Sequence, residues 1–272
     1  MDNSLDALLP AAMAEKAEQV GVTKANLPLR RLVPLGILAG AFIGLGANFS
    51  TVVTAGGGSA PGITRLLGGI VFSLGLILVV VSGAELFTGN TLIVIAYAGR
   101  RVSAMKLLRN WFVVYISNFV GALATAALVV WSGQLGAGDG AIGARAQAIA
   151  DAKVSLGFGQ AVASAILANC LVCLAVWMTL SARTLVDKVI VIVPPVAAFV
   201  AAGFEHSIAN MYFLPVVLLR AASDSPSTPP AATKTTWTNF LVDNLLPVTI
   251  GNIIGGAVLV GLVYWFVYLR ST

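Results

Sequence analysis

The only histidine of the chain, His206, stands inside a long apolar stretch that reads Gly203-Phe204-Glu205-His206-Ser207-Ile208-Ala209-Asn210. An imidazole titrates at about 6.5, so it is the side chain best placed to exchange protons near neutral pH. The plainer role is a neutral ring that holds loop groups by hydrogen bonds. An ionisable group at bilayer depth is costly and defaults to function, which brings the two readings level. The skeleton occurs a second time, as Gly83-Ala84-Glu85-Leu86-Phe87-Thr88-Gly89-Asn90. Both copies read Gly-x-Glu-x-x-x-x-Asn. His206 belongs to one copy only and Thr88 to the other, and a hydrogen bond between them would aim the Thr88 hydroxyl at a substrate. Glu85, Glu205, Asn90 and Asn210 recur in both copies and suit a scaffold. Carboxylates at a helix break are expected to accept the backbone N–H groups that the break frees.

The chemistry that such residues serve is the passage of an anion through lipid. Oriented N–H donors, a cation, or temporary protonation each reduce the cost of its lost hydration. Helix N-termini after Thr88 and Ser207 supply the donors. Lys153 supplies a cation and His206 the proton chemistry. Asn48 and Asn169 are amides within apolar stretches, suited to bracing the breaks, and Asn169 also to lining a vestibule.

The elements that must position these groups are membrane helices. Of the 272 residues 58% are hydrophobic and 10% charged, and the mean hydropathy is +0.93. A soluble domain carries about 25% charged residues, so an all-α integral membrane protein is expected. No signal peptide is evident in the polar first 30 residues. The net charge of +5 is scattered over loops and argues for no nucleic-acid partner. Cys170 and Cys173 fit packing better than redox chemistry, and a single histidine leaves no ordinary metal-ligand set, so neither metal nor cofactor is expected.

Six apolar regions are read at 33–54, 66–98, 107–132, 156–181, 188–219 and 245–268. A span needs about 20 residues. The second and fifth are too long, and each has its Gly-x-Glu element near the centre, which predicts helices broken within the membrane. Eleven of the sixteen Lys and Arg residues fall on the side of the termini, which places both termini in the cytoplasm. Asn48 with Gly36 is matched to Asn169 with Gly157, and Asn110, Asn118 and Gly121 to Asn244, Asn252 and Gly255. Three spans per copy imply a 3+3 inverted repeat, with the substrate path between the broken helices. Residues 1–30 are read as a cytoplasmic segment with an amphipathic helix over 4–20 (Leu5, Leu8, Leu9, Met13, Ala17, Val20), serving as a cap or a gate. Residues 31–270 form the channel domain, repeat one spanning about 31–133 and repeat two about 153–270. Gly36, Gly40 and Gly44 make a stripe for close helix packing, and the Pro/Ser/Thr-rich stretch 221–238 is read as an outer loop.

These motifs resemble the formate–nitrite transporter family, most of all its formate channels. Gly83 to Thr88 resembles the first signature, and Phe204 to Met211 followed by Pro215 the second. Leu167-Ala168-Asn169 through Met178, and Asp243-Asn244 through Gly256, extend the likeness to nearly the whole chain. The resemblance implies an aquaporin-like fold, a homopentamer with one pore per protomer, and passage of formate, nitrite, acetate, lactate or hydrosulfide, or their neutral acids, with protons. It implies a bacterial inner-membrane location and no enzymatic activity. It also implies a central site of His206 and Thr88, constrictions at Phe72, Leu76 and Phe199 with Leu86, Phe87 and Val172 nearby, and vestibule residues Lys153 and Asn169. Gly89-Asn90 departs from the small hydroxyl residues of formate channels and is similar to nitrite-type branches, which divides the substrate assignment.

Two other classes are weaker. A neutral-solute pore explains the repeat but not a central histidine, and no Asn-Pro-Ala box occurs. A membrane serine protease needs a Gly-x-Ser-Gly-type turn, and the residue two before Ser82 is Val80.

Overall fold

A computed structural model of the chain describes residues 7–57, 60–223 and 234–270, an all-helical arrangement over these residues. Leu5 of the expected amphipathic helix and the Pro/Ser/Thr-rich run 224–233 lie outside them. In chain order the helices are α1 (Pro10–Ala25), α2 (Leu29–Val53), α3 (Pro61–Ser82), α4 (Phe87–Ala98, with a 3-10 turn at Thr91–Ile93) and α5 (Ala104–Trp131). After a 3-10 turn at Gln134–Gly136 follow α6 (Ala141–Val154), α7 (Phe158–Ser181), α8 (Leu185–Ala202), α9 (Ser207–Ser223) and α10 (Asn239–Tyr268). The last contains π-helical stretches at Asn239–Leu245 and Ile254–Leu262. Six helices, α2, α3, α5, α7, α8 and α10, are long and apolar enough to cross a membrane.

The two overlong apolar regions are each cut into two helices, and the cuts share one local cause. α3 closes at Gly83 with φ 75°, and the Ala84 N–H donates back to the Val79 carbonyl at 2.9 Å. α8 closes at Gly203 with φ 76°, and the Phe204 N–H donates to the Phe199 carbonyl at 2.9 Å. Both are left-handed glycine caps, a conformation that any residue with a Cβ resists. Three residues outside any helix then precede α4 or α9.

The glycine stripe of α2 packs backbone against backbone. A Cβ on Gly40 would meet the Asn118 main chain of α5, and one on Gly44 would meet Thr125 and Tyr212. Gly251 and Gly255 of α10 lie in the same way against Val162 and Ile166 of α7. Small residues are what permit such approach where burial of apolar surface gives no drive.

The amphipathic helix starts later than its hydrophobic pattern suggests. Pro10 occupies the first turn, where its missing N–H costs nothing, and Leu9 is left outside, 75% exposed. The packed face is Met13, Ala14, Ala17, Gly21 and Ala25. Basic residues gather at its end of the molecule: Lys16 donates to the Leu180 carbonyl, Lys106 to Asn26, and Arg101 pairs with Glu18.

Candidate functional site

The first helix break is held by Asn118 of α5. Its Oδ1 accepts the Phe87 N–H at 2.9 Å, while its Nδ2 donates to the carbonyls of Gly36 (2.7 Å) and Glu85 (2.9 Å). Asn252 of α10 does the same at the second break. It accepts the Ser207 N–H at 2.9 Å and donates to the carbonyls of Ala165 (2.8 Å) and Glu205 (3.0 Å). One amide thus ties together a long helix, a loop carbonyl and the first N–H of a short helix.

This corrects the role expected of the glutamates. Their carboxylates are bound by side chains, and the Phe87 and Ser207 amides go to the asparagines. Glu85 takes Lys24 Nζ at 2.8 Å and Asn90 Nδ2 at 2.7 Å, and Asn90 also donates to Asn110. Glu205 takes Lys153 Nζ at 2.7 Å, Asn210 Nδ2 at 2.6 Å and Asn244 Nδ2 at 3.2 Å. Asn110 and Asn244 each close their cluster on the carbonyl of its lysine, both at 3.0 Å. A buried carboxylate requires a cation and hydrogen bonds, and backbone amides alone leave its charge uncompensated. Lys24, seen in the sequence only as a topological charge, is therefore the counterpart of Lys153, and α1 of α6.

The same contacts correct the register between the halves. Gly36 matches Ala165, since Asn118 and Asn252 bind their carbonyls, and Ile37 matches Ile166, which Gly121 and Gly255 approach. The sequence matches of Asn48 with Asn169 and of Gly36 with Gly157 do not hold. Small and amide residues recur often enough in closely packed helices to produce a false register. Asn48 bonds Gln134 and Tyr212, whereas Asn169 is fully buried and donates to the carbonyls of Thr88 and Asn252 and to Thr91. Asn169 thus braces the breaks.

His206 and Thr88 come together between the breaks, with Nε2 and Oγ1 3.0 Å apart and both residues buried. The Ala209 N–H donates to His206 Nδ1 at 3.1 Å, so the ring caps the first turn of α9. Its face stacks on Phe199 at 5.8 Å, and Phe199 and Phe72 meet edge to face at 5.8 Å.

Two cavities approach this pair. One, of about 670 Å³, is lined by α1 with Lys16 and Lys24 and ends on Leu76 and Leu86. The other, of about 370 Å³, is lined by α6 with Arg145 and Lys153 and ends on Phe72, Phe199 and His206. Between them lies a void of about 10 Å³ walled by Phe72, Leu76, Leu86, Val172, Phe199 and His206. Phe87 is elsewhere, edge-on to Tyr115 at 4.9 Å and Trp111 at 6.3 Å. Lys153 reaches its cavity, but its charge is engaged by Glu205. Cys173 is buried beside Thr91 and Thr88, and neither it nor Cys170 is in a disulfide.

A model of the formate/nitrite transporter family matches residues 11–266 of this chain. The chain belongs to the formate/nitrite transporter family. It is similar to the formate channel FocA of Escherichia coli, 49% identical with 99% of this chain and 98% of the relative covered. It is also similar to a probable formate transporter of Methanothermobacter thermautotrophicus, 39% identical over 96% of this chain and 97% of that protein. A solved pentameric formate channel with formate bound is 44% identical, with a TM-score of 0.84 over 89% of this chain and 98% of the other. These family relatives are described as channels and transporters. Within the family fold, the lysine–glutamate–asparagine clusters are what sequence reasoning missed. The recurring Asn110/Asn244 and Asn118/Asn252 spacing was their visible trace.

Proposed function

We propose that this chain is a formate channel of a bacterial inner membrane, six-span and homopentameric with one pore per protomer, passing the anion as its neutral acid beside His206 and Thr88. The observation that carries this reading is His206, which borders both the α6 cavity and the apolar central void and is bonded to the buried Thr88. The formate-bound relative supports formate over nitrite, acetate, lactate or hydrosulfide. Gly89-Asn90 does not oppose formate, since Asn90 sits in the Glu85 cluster as Asn210 sits in that of Glu205. The two lysine–glutamate pairs line different cavities, one on each side of the central void, as an inverted repeat requires. Charge counts favour the α1 mouth as the cytoplasmic one, with both termini there.

The hydrogen bonds define the proton state that this mechanism uses. A backbone N–H needs a lone pair, so the bond from Ala209 leaves the ring proton on Nε2, donating to Thr88 Oγ1. The Thr88 hydroxyl hydrogen is then free to meet a substrate oxygen. A second ring proton on Nδ1 would break the Ala209 bond. The neutral ring therefore orients a donor, and the anion brings its proton from the water of the mouth before entering the sleeve of Phe72, Leu76, Leu86, Val172 and Phe199.

The test is labelled-formate uptake into proteoliposomes across a range of pH, comparing wild type with His206→Phe and Thr88→Val. Uptake is expected to rise with an inward proton gradient. Loss of one partner from a buried hydrogen bond costs about 1–3 kcal/mol, so Thr88→Val is expected to slow it by about tenfold or more. Uptake indifferent to the gradient and to both substitutions would sink the reading. Glycerol permeation without formate uptake would favour a neutral-solute pore.

A further inference from the structure

The Thr88 hydroxyl meets His206, and side chains from two helices converge on the Thr88 main-chain carbonyl. The Thr91 hydroxyl donates to that carbonyl at 2.6 Å and the Asn169 amide at 3.3 Å, and the Cys173 thiol lies 3.4 Å from it. The donors also touch one another, with Asn169 Nδ2 and Cys173 Sγ each 3.3 Å from Thr91 Oγ1. Thr88, Thr91, Asn169 and Cys173 are all buried. Gly256 of α10 makes room for them, since a Cβ there would strike Thr91 Oγ1, Asn169 Nδ2 and Cys173 Sγ. The repeat does not account for this cluster. In the register that the two breaks define, Thr91 matches Met211, Asn169 matches Gly40 and Cys173 matches Gly44. The second break is therefore held without any of these donors.

We infer that Thr91 and Cys173, together with Asn169, are positioning residues that set the direction of the Thr88 hydroxyl at His206. The donors hold the peptide that follows Thr88. Threonine is β-branched and stiff at χ1, so fixing its main chain leaves its hydroxyl few directions. The hydrogens are sufficient for these contacts. Thr91 gives its one hydroxyl hydrogen to the Thr88 carbonyl, and Cys173 shares its one between that carbonyl and Thr91 Oγ1. Asn169 gives one amide hydrogen to the Asn252 carbonyl at 2.6 Å and turns the other to Thr88 and Thr91. Asn252 in turn accepts the N–H of Ser207, the residue after His206. Hydrogen bonds thus run without interruption from the peptide of Thr88 to the peptide of His206, behind the 3.0 Å contact between their side chains. A working pair of groups must be held to within about 0.5 Å, and hydrogen-bonded neighbours are what hold it. The cluster stands on the threonine side, where the repeat supplies no such support.

This role rests on the proposed function, in which the Thr88 hydroxyl meets the substrate, and two readouts separate their failures. The first is labelled-formate flux in proteoliposomes for wild type, T91V, T91S, C173A and C173S. T91V is expected to slow flux about tenfold, and C173A about threefold because a thiol is a weak donor. T91S and C173S each return a hydroxyl donor and are expected to recover most of the loss. The second readout uses the fact that His206 is the only histidine, so nitrogen-15 histidine labelling reports a single ring. Its Nε2 resonance reads the bond to Thr88 and needs no transport. T91V is expected to move that resonance in the direction of T88V, and T91S to return it. A T91V resonance at the wild-type position overturns the positioning role whatever the flux, and so does a T91S variant that recovers no more flux than T91V. A moved resonance in T91V, with T88V itself carrying formate at the wild-type rate, overturns the channel role of the hydroxyl and leaves the positioning role standing. Thermal midpoints check that T91V and T91S are equally folded, and the C173A and C173S pair decides the question by the same two readouts if T91V does not assemble.

Discussion

The helix break at Glu85 and the break at Glu205 are built from the same parts, yet only one of them carries an imidazole. Each has a left-handed glycine, an asparagine that caps the following helix, and a lysine held to the glutamate beside two further asparagines. Where the second copy has His206 the first has Leu86, and where the first has Thr88 the second has Ile208. The shared parts answer a shared problem, the polar backbone and charge exposed by breaking a helix in an apolar setting. The unshared parts face each other across the centre. Duplicated residues therefore hold the breaks, and in the proposed function the unduplicated ones serve the substrate.

The comparison can be broken at three points. The largest effect is expected from the carboxylates. Removing one partner of a buried ion pair costs about 3–5 kcal/mol. The Lys24 side chain is 29% exposed and that of Lys153 only 13%, so water compensates the first cluster more readily. Glu205→Ala is expected to lower the thermal denaturation midpoint more than Glu85→Ala. The reverse order would show that burial does not rank the two clusters. Next come the capping amides. Asn118→Ala and Asn252→Ala each strip three hydrogen bonds, for about 2–3 kcal/mol apiece at roughly 1 kcal/mol per bond. Equal losses in chemical denaturation support equivalent roles, and a large inequality would break the equivalence. The smallest effect separates neighbours. Phe87→Leu loses ring contacts with Tyr115 and Trp111 worth about 1 kcal/mol, and formate flux is expected to stay as in wild type. Leu86→Phe crowds the central void and is expected to slow flux without that loss of stability. If the two swap behaviour, Phe87 and not Leu86 borders the path.

Much of this was legible because it is local. Overlong apolar runs interrupted by Gly-x-Glu predicted the breaks, since a glycine cap and a polar residue are written in consecutive positions. The single histidine, and its absence from the first copy, singled out His206 and Thr88. Other features resisted for a physical reason. Phe87 and Leu86 are adjacent and both apolar, and only the packing of α4 on α5 turns one toward Tyr115 and the other toward the void. Lys24 lies about sixty residues before the carboxylate it neutralises, with no spacing to announce the pair.

What the sequence determined alone was the class of molecule, the number of apolar helices, the two breaks and the family. Each follows from composition, periodicity or short contiguous motifs. What only the tertiary structure decided was the division of labour among the polar residues. It moved the capping from the glutamates to Asn118 and Asn252, made α1 the counterpart of α6, and turned Lys153 from a free cation into a bound one. A buried charge is satisfied by whichever partner the packing brings within about 3 Å, and that partner can lie anywhere along the chain.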